Sequence, residues 1–135
     1  GFGIWSAEFT QGYTPGMTGM DRWIDWEKEN FIGQAAAIKE RDGNGPAQKL
    51  VMLEIDADDA DASGYEPVWN NDSLVGFVTS GGYGHTLKKS LAMALVNNDL
   101  AQEDQKLKVH VVGVEKDATV IQASPYDPDG SVMRV

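Results

Sequence analysis

A chain of 135 residues suits one domain, large enough to bury about 68% of the surface its unfolded form exposes. With 21 acidic against 11 basic side chains it carries a net charge of −10, which repels nucleic-acid phosphates and anionic lipid, and no apolar run approaches the roughly 18 residues of a membrane span. The lack of cysteine excludes disulfides, thiolate catalysis and cysteine-ligated metal centres.

Gly1 to Gly19 is rich in glycine, threonine and aromatics, and Thr14-Pro15-Gly16 predicts a turn in an otherwise irregular segment. The start has neither a basic n-region nor a long apolar stretch, and it lacks Met, so a processed product or an excised piece is expected. Asp21-Arg22-Trp23-Ile24-Asp25-Trp26 alternates enough to predict a short strand. Phe31 to Gly43 predicts one short helix, with Asn30 as its cap, alanines in the middle, basic residues in the last turn and glycine at the stop.

From Lys49 onward the pattern is β. Strands are predicted at Leu50–Ile55, Glu66–Val68 extending to Trp69, Leu74–Thr79, Ser90–Val96, Lys106–Val114 and Ala118–Ala123, with turns at Asn70-Asn71-Asp72 and Glu115-Lys116-Asp117. Between Thr79 and Ser90 stand three glycines, Gly81, Gly82 and Gly84, which predict a tight reversal carrying Ser80, Tyr83 and His85. Six strands with short connections give a mainly β fold, a small six-stranded antiparallel barrel, preceded by an irregular segment and a short helix. Ser124 to Gly130, with two prolines, reads as a loop leading to the C-terminus.

Several stretches offer chemistry. Asp56-Ala57-Asp58-Asp59-Ala60-Asp61 has the carboxylates of a calcium loop, but Asp61 and Pro67 stand where an EF-hand needs glycine and glutamate, and a solvated acidic loop is the simpler reading. Ser80 and His85 are two of the three residue types of a hydrolase triad, yet no G-x-S-x-G elbow is present, and a hydroxyl that satisfies local backbone is the simpler role for Ser80. His85 and His110 are too few for a metal site without carboxylates from elsewhere, and no metal is expected. Gly81 to Gly84 does not open a helix, so it lacks the dipole that makes a phosphate loop convincing. Glu8 lies among Trp5, Phe9 and Tyr13, where a carboxylate can accept paired hydrogen bonds from a flat heterocycle or simply lie on the surface.

Taken in order, Phe31-Ile32-Gly33, Lys49-Leu50-Val51, Gly64-Tyr65-Glu66-Pro67-Val68, Val75 to Leu87 and Ser124-Pro125-Tyr126-Asp127-Pro128 resemble the C-terminal part of the aminomethyltransferase, or glycine cleavage T-protein, family. The variant Thr79-Ser80-Gly81-Gly82-Tyr83-Gly84-His85 is most similar to the folate-associated half of dimethylglycine and sarcosine dehydrogenases. The resemblance implies transfer of a one-carbon unit to tetrahydrofolate, by a protein in which 1–46 is the tail of a folate-binding domain and 47–135 a C-terminal barrel. It implies Glu8 as the glutamate that holds the pterin, Arg134 as a basic residue near the folate tail, and Tyr83 as a residue facing the domain junction. The sequence departs from the family pattern where Ser6 replaces the usual glycine, and where Met17 and Thr18 replace a glutamate and an alanine.

The family's catalytic aspartate and, in the dehydrogenases, the FAD domain belong to upstream parts, so no catalytic residue is expected within this chain. The expected partners are folate and those upstream domains, with neither nucleic acid nor membrane, in the cytoplasm or, in a eukaryote, the mitochondrial matrix. The chain alone is expected to be inert and to bind folate weakly or not at all. The rival expectation is a non-catalytic barrel module that serves domain or subunit assembly.

Overall fold

Alternating aliphatic residues set the barrel. In the computed structural model, which describes residues 1–134, six strands follow one another: β1 (Gln48–Ile55), β2 (Pro67–Asn70), β3 (Ser73–Gly84), β4 (Lys89–Asn97), β5 (Lys106–Val111) and β6 (Val114–Ile121). All neighbours are antiparallel, in the order β1-β4-β3-β2-β5-β6, and β6 pairs back onto β1, so the sheet closes and leaves no free edge. Val51, Leu53 and Ile55 of β1, Ala92, Ala94 and Val96 of β4, and Val109 and Val111 of β5 point into one buried cluster.

The residues between them face outward, and on one side they are covered too. Leu95 and Met52 are buried yet lie outside the interior cluster. Leu95 pairs with Leu50 and Phe77, and Met52 with Met93 and Ile121, so an apolar band runs across the outside of β3, β4, β1 and β6. The first 46 residues supply part of its cover: α1 (Pro15–Thr18) packs against β1, and α2 (Gln34–Asp42) packs on α1. Thr14 caps α1, accepting a hydrogen bond from the Met17 N–H at 3.2 Å while its own hydroxyl donates to Glu40 of α2 at 2.8 Å.

Four expectations are corrected. Asp21–Trp23 is a turn of 3-10 helix, not a strand, and its aromatic surface is used against cations: Arg22 lies 5.5 Å from the Trp23 ring and Arg41 4.4 Å from Trp26. The cap of α2 is Gly33, at φ 85°, while Asn30 stands three residues earlier, its N–H donating to the Gln34 side chain at 3.2 Å. The turn between β5 and β6 is Val112-Gly113, both at positive φ, because Val111 pairs with Val114 and only two residues remain between them. Glu115, Lys116 and Asp117 therefore belong to β6.

The largest correction concerns the glycines. Ser80 to Gly84 is extended and paired with Lys89–Met93 inside β3, and the reversal falls at His85–Lys88, with Lys88 at φ 57°. Two glycines of this strand, Gly76 and Gly81, serve close approach, not turning. A Cβ on Gly81 would stand 2.3 Å from the Ala62 carbonyl oxygen, and one on Gly76 would stand 1.9 Å from that of Leu95. The loop after β1 thus lies directly on β3, with Ala62 buried beneath it. A register shift between Val78 and Ser80 leaves Thr79 out of step, and its hydroxyl donates to the Met93 carbonyl at 3.1 Å.

Candidate functional site

The open end of the β3–β4 hairpin has a cleft on either side. The first, about 620 Å³, lies between the hairpin tip and the C-terminal tail, and Phe2, Met52, Leu87, Leu91 and Tyr126 give it an apolar wall. Arg134 enters it from a 3-10 turn that Asp127 holds, accepting hydrogen bonds from the N–H groups of Ser131 at 2.9 Å and Val132 at 3.2 Å. Among the described residues no carboxylate forms an ion pair with the Arg134 guanidinium, a group with five N–H donors. Gly1, which lies against Ser124, and the largely exposed Phe2 border the same cleft.

The second cleft, about 900 Å³, is polar and lined by the loop Asp56–Asp61, by Tyr83, and by Lys88, Lys89 and Lys106. Its charges are largely committed. Lys89 bridges to Glu54 at 2.6 Å, Lys116 to Asp59 at 3.1 Å, and the buried hydroxyl of Ser90 donates to Asp61 at 2.7 Å. Hydrogen bonds from Lys116 and from backbone N–H groups hold the Asp59 carboxyl below the usual aspartate range. Among the described residues no group of three or more His, Asp or Glu is arranged to hold a metal ion.

Glu8 is fully buried, and both its oxygens are in use. One accepts the Ile4 N–H at 2.5 Å and the other accepts the Ser80 hydroxyl at 2.7 Å, while the Glu8 N–H donates to the Ile4 carbonyl at 2.9 Å. A single helical turn is thus closed at both ends by one residue and tied to the barrel by a bond between positions 72 apart in sequence. Among the described residues no lysine or arginine pairs with this carboxylate.

Tyr83 is half-exposed beside the second cleft, edge-on to His85 with ring centroids 5.1 Å apart. Among the described residues no hydrogen bond joins Ser80 to His85, and the Gly81–Gly84 backbone is engaged in the β3–β4 ladder rather than curled around an anion. Glu8 and Arg134 therefore bear on the first cleft, Glu8 through the chain start and Arg134 directly, and Tyr83 on the second. The sequence left the partnership of Glu8 with Ser80 invisible, because nothing local marks it.

A closed antiparallel barrel with a basic residue on an apolar cleft beside its C-terminus defines the class. Residues 48–127 match the family model described as the glycine cleavage T-protein C-terminal barrel domain, and the chain belongs to that family. It is 34% identical over 122 residues to the mitochondrial dimethylglycine dehydrogenase of Homo sapiens, covering 90% of this chain and 14% of that protein. It is 29% identical over 126 residues to the aminomethyltransferase of Caldanaerobacter subterraneus, covering 93% of this chain and 33% of that one. The crystal structure of the glycine cleavage system aminomethyltransferase T from Bartonella henselae superimposes with a TM-score of 0.78 over 87% of the chain, at 22% identity, and shows the shared fold. The chain thus spans between a seventh and a third of the length of these curated relatives. Among the described residues no helix is long and apolar enough to cross a membrane.

Proposed function

We propose that the chain acts as the C-terminal part of a longer protein that transfers a one-carbon unit to tetrahydrofolate, within a methylglycine or methylamine dehydrogenase. The observation that carries this is Arg134, a guanidinium on the wall of an apolar cleft. Such a wall suits a flat, partly anionic ligand: the apolar side covers the ring system and the arginine pairs with a carboxylate of the tail. Bound tetrahydrofolate supplies the amine nitrogens that accept the one-carbon unit. This chain's own residues bind and orient it and exclude water, since none of them is assigned a proton or a bond in the transfer.

Membership of the family and the sizes of the relatives support this reading. So do Trp5, Trp23 and Ile32, which are 80%, 75% and 104% exposed on the N-terminal segment and offer apolar surface to domains lying before it. In that arrangement 1–46 belongs with the preceding folate-binding part, 47–135 is the closing barrel, Tyr83 borders the junction, and any FAD belongs upstream. The compartment is the cytoplasm or the mitochondrial matrix.

The test is R134Q in the full-length protein, titrated with 5-formyltetrahydrofolate. A roughly tenfold weaker Kd is expected from the loss of one charge-assisted contact. An unchanged Kd with intact assembly would instead support a barrel that serves assembly alone.

A further inference from the structure

Phe2 walls the cleft, and two residues later the Ile4 N–H is held by Glu8. Glu8 in turn is held by Ser80 on β3. The chain between these points has no slack, because Ile4 to Glu8 is one turn bonded through both its backbone and its side chain. We infer that Glu8 and Ser80 are positioning residues, a buried staple that fixes the chain start as a wall of the Arg134 cleft without touching the ligand. This inference rests on the folate reading for its consequence and on the ligand-free geometry for its existence.

The chemistry of the pair separates this role from direct contact. Ser80 can donate or accept, so replacing Glu8 with glutamine permits a reversed staple: the amide oxygen keeps the Ile4 N–H, and the amide nitrogen donates to the Ser80 oxygen. Removing the hydroxyl permits no such exchange. A glutamate that gripped a heterocycle by its two oxygens would behave in the opposite way, failing as glutamine and ignoring Ser80.

The experiment is hydrogen–deuterium exchange across residues 1–9 of the intact protein without ligand, followed by 5-formyltetrahydrofolate titration of the same samples. For S80A, exchange in 1–9 is expected to rise roughly tenfold while β1 and β4 keep their protection, and the Kd to weaken roughly threefold. E8Q should remain near wild type in both, and E8Q/S80A should be worse than either, since its buried amide hydrogens lose their acceptor. Unchanged exchange in S80A overturns the staple. A Kd that fails in E8Q and holds in S80A overturns positioning in favour of direct contact. If R134Q weakens folate but S80A does not, the positioning role falls while the folate reading stands. If R134Q is also silent, the folate reading falls, and the exchange data alone decide whether the staple exists.

Discussion

The inside of the barrel and the cover on its outside are built on different principles. Inside, Leu53, Val68, Val78, Val96 and Val109 are completely buried among other aliphatic side chains, and every strand has a neighbour on both sides. Outside, the first 46 residues form two short helices and irregular chain, tied to one another through Thr14 and Glu40 and to the rest of the molecule by bonds such as those of Ser80 to Glu8 and of the Asn98 side-chain amide to the Asn44 carbonyl at 3.5 Å. The cover buries Leu95 and Met52 but leaves Phe2, Trp5 and Trp23 in solvent. The interior is complete in itself, whereas the cover has apolar faces still to bury. Stability resides in the first and exposed apolar surface in the second.

The contrast breaks hardest at Gly76. G76A forces a methyl group against a carbonyl oxygen at the centre of the sheet, and a loss of about 3 kcal/mol or more is expected by urea unfolding. G82A is the control in the same strand: a Cβ there meets nothing within 4 Å, and stability should change by no more than about 0.5 kcal/mol. Equal losses from the two would show that the strand resists any side chain.

L53A and L95A sharpen the comparison. Both leucines are completely buried, one inside the barrel and one under the cover. L53A should cost about 3–5 kcal/mol in a single cooperative transition, and L95A about 2–3 kcal/mol, because a thin cover collapses onto the gap. L95A should also speed exchange throughout residues 1–46. Identical unfolding curves with no such change would mean that cover and barrel are one unit.

The smallest effect lies across β5 and β6. A hydrogen bond from Lys108, then its charge and that of His110, hold the Glu115 carboxyl below the usual glutamate range, and the same pair holds the Lys108 ammonium above the usual lysine range. With the folded carboxyl depressed, its contribution is present above the ordinary glutamate range and is lost as pH falls through the lower folded value. The ammonium contributes until pH climbs past the ordinary lysine range, and its share is lost only at strongly alkaline pH. Both groups are exposed, so K108Q should shift Tm at neutral pH only slightly, and the difference should vanish in acid or in concentrated salt. A large shift that persisted in salt would mean that the hairpin depends on the pair.

The fold was legible where alternation is clean. Val51, Leu53 and Ile55, or Val109 and Val111, announce a one-sided strand by themselves. Legibility failed where long-range contact overrides local preference. Gly81 and Gly82 look like turn residues, and only the carbonyl of Ala62 explains why the strand needs glycine at position 81. Val112 is β-branched at φ 50°, a conformation that turn chemistry reserves for asparagine or glycine, so the charged run after it made the more natural turn. Trp23 and Trp26 suggest a strand, whereas the first stays largely exposed beside Arg22 and the second lies against Arg41. At the site, the roles expected of Arg134 and Glu8 come from the resemblance, while the bond between Glu8 and Ser80 has no local mark because the two stand 72 positions apart in sequence.

The irregular step at Thr79 can be read as a change of parity. Val78 pairs with Ala94 and faces the interior, yet Ser80, two positions on, pairs with Met93 and faces out. Were Thr79 paired in regular alternation instead, the serine would turn inward among valines, its hydroxyl stranded, and Glu8 would be left on the outside with an empty place before it. A single unpaired residue thus decides whether Glu8 and Ser80, 72 positions apart in sequence, can meet. An insertion here that absorbed the irregular step should be far less tolerated than one in the acidic loop nearby.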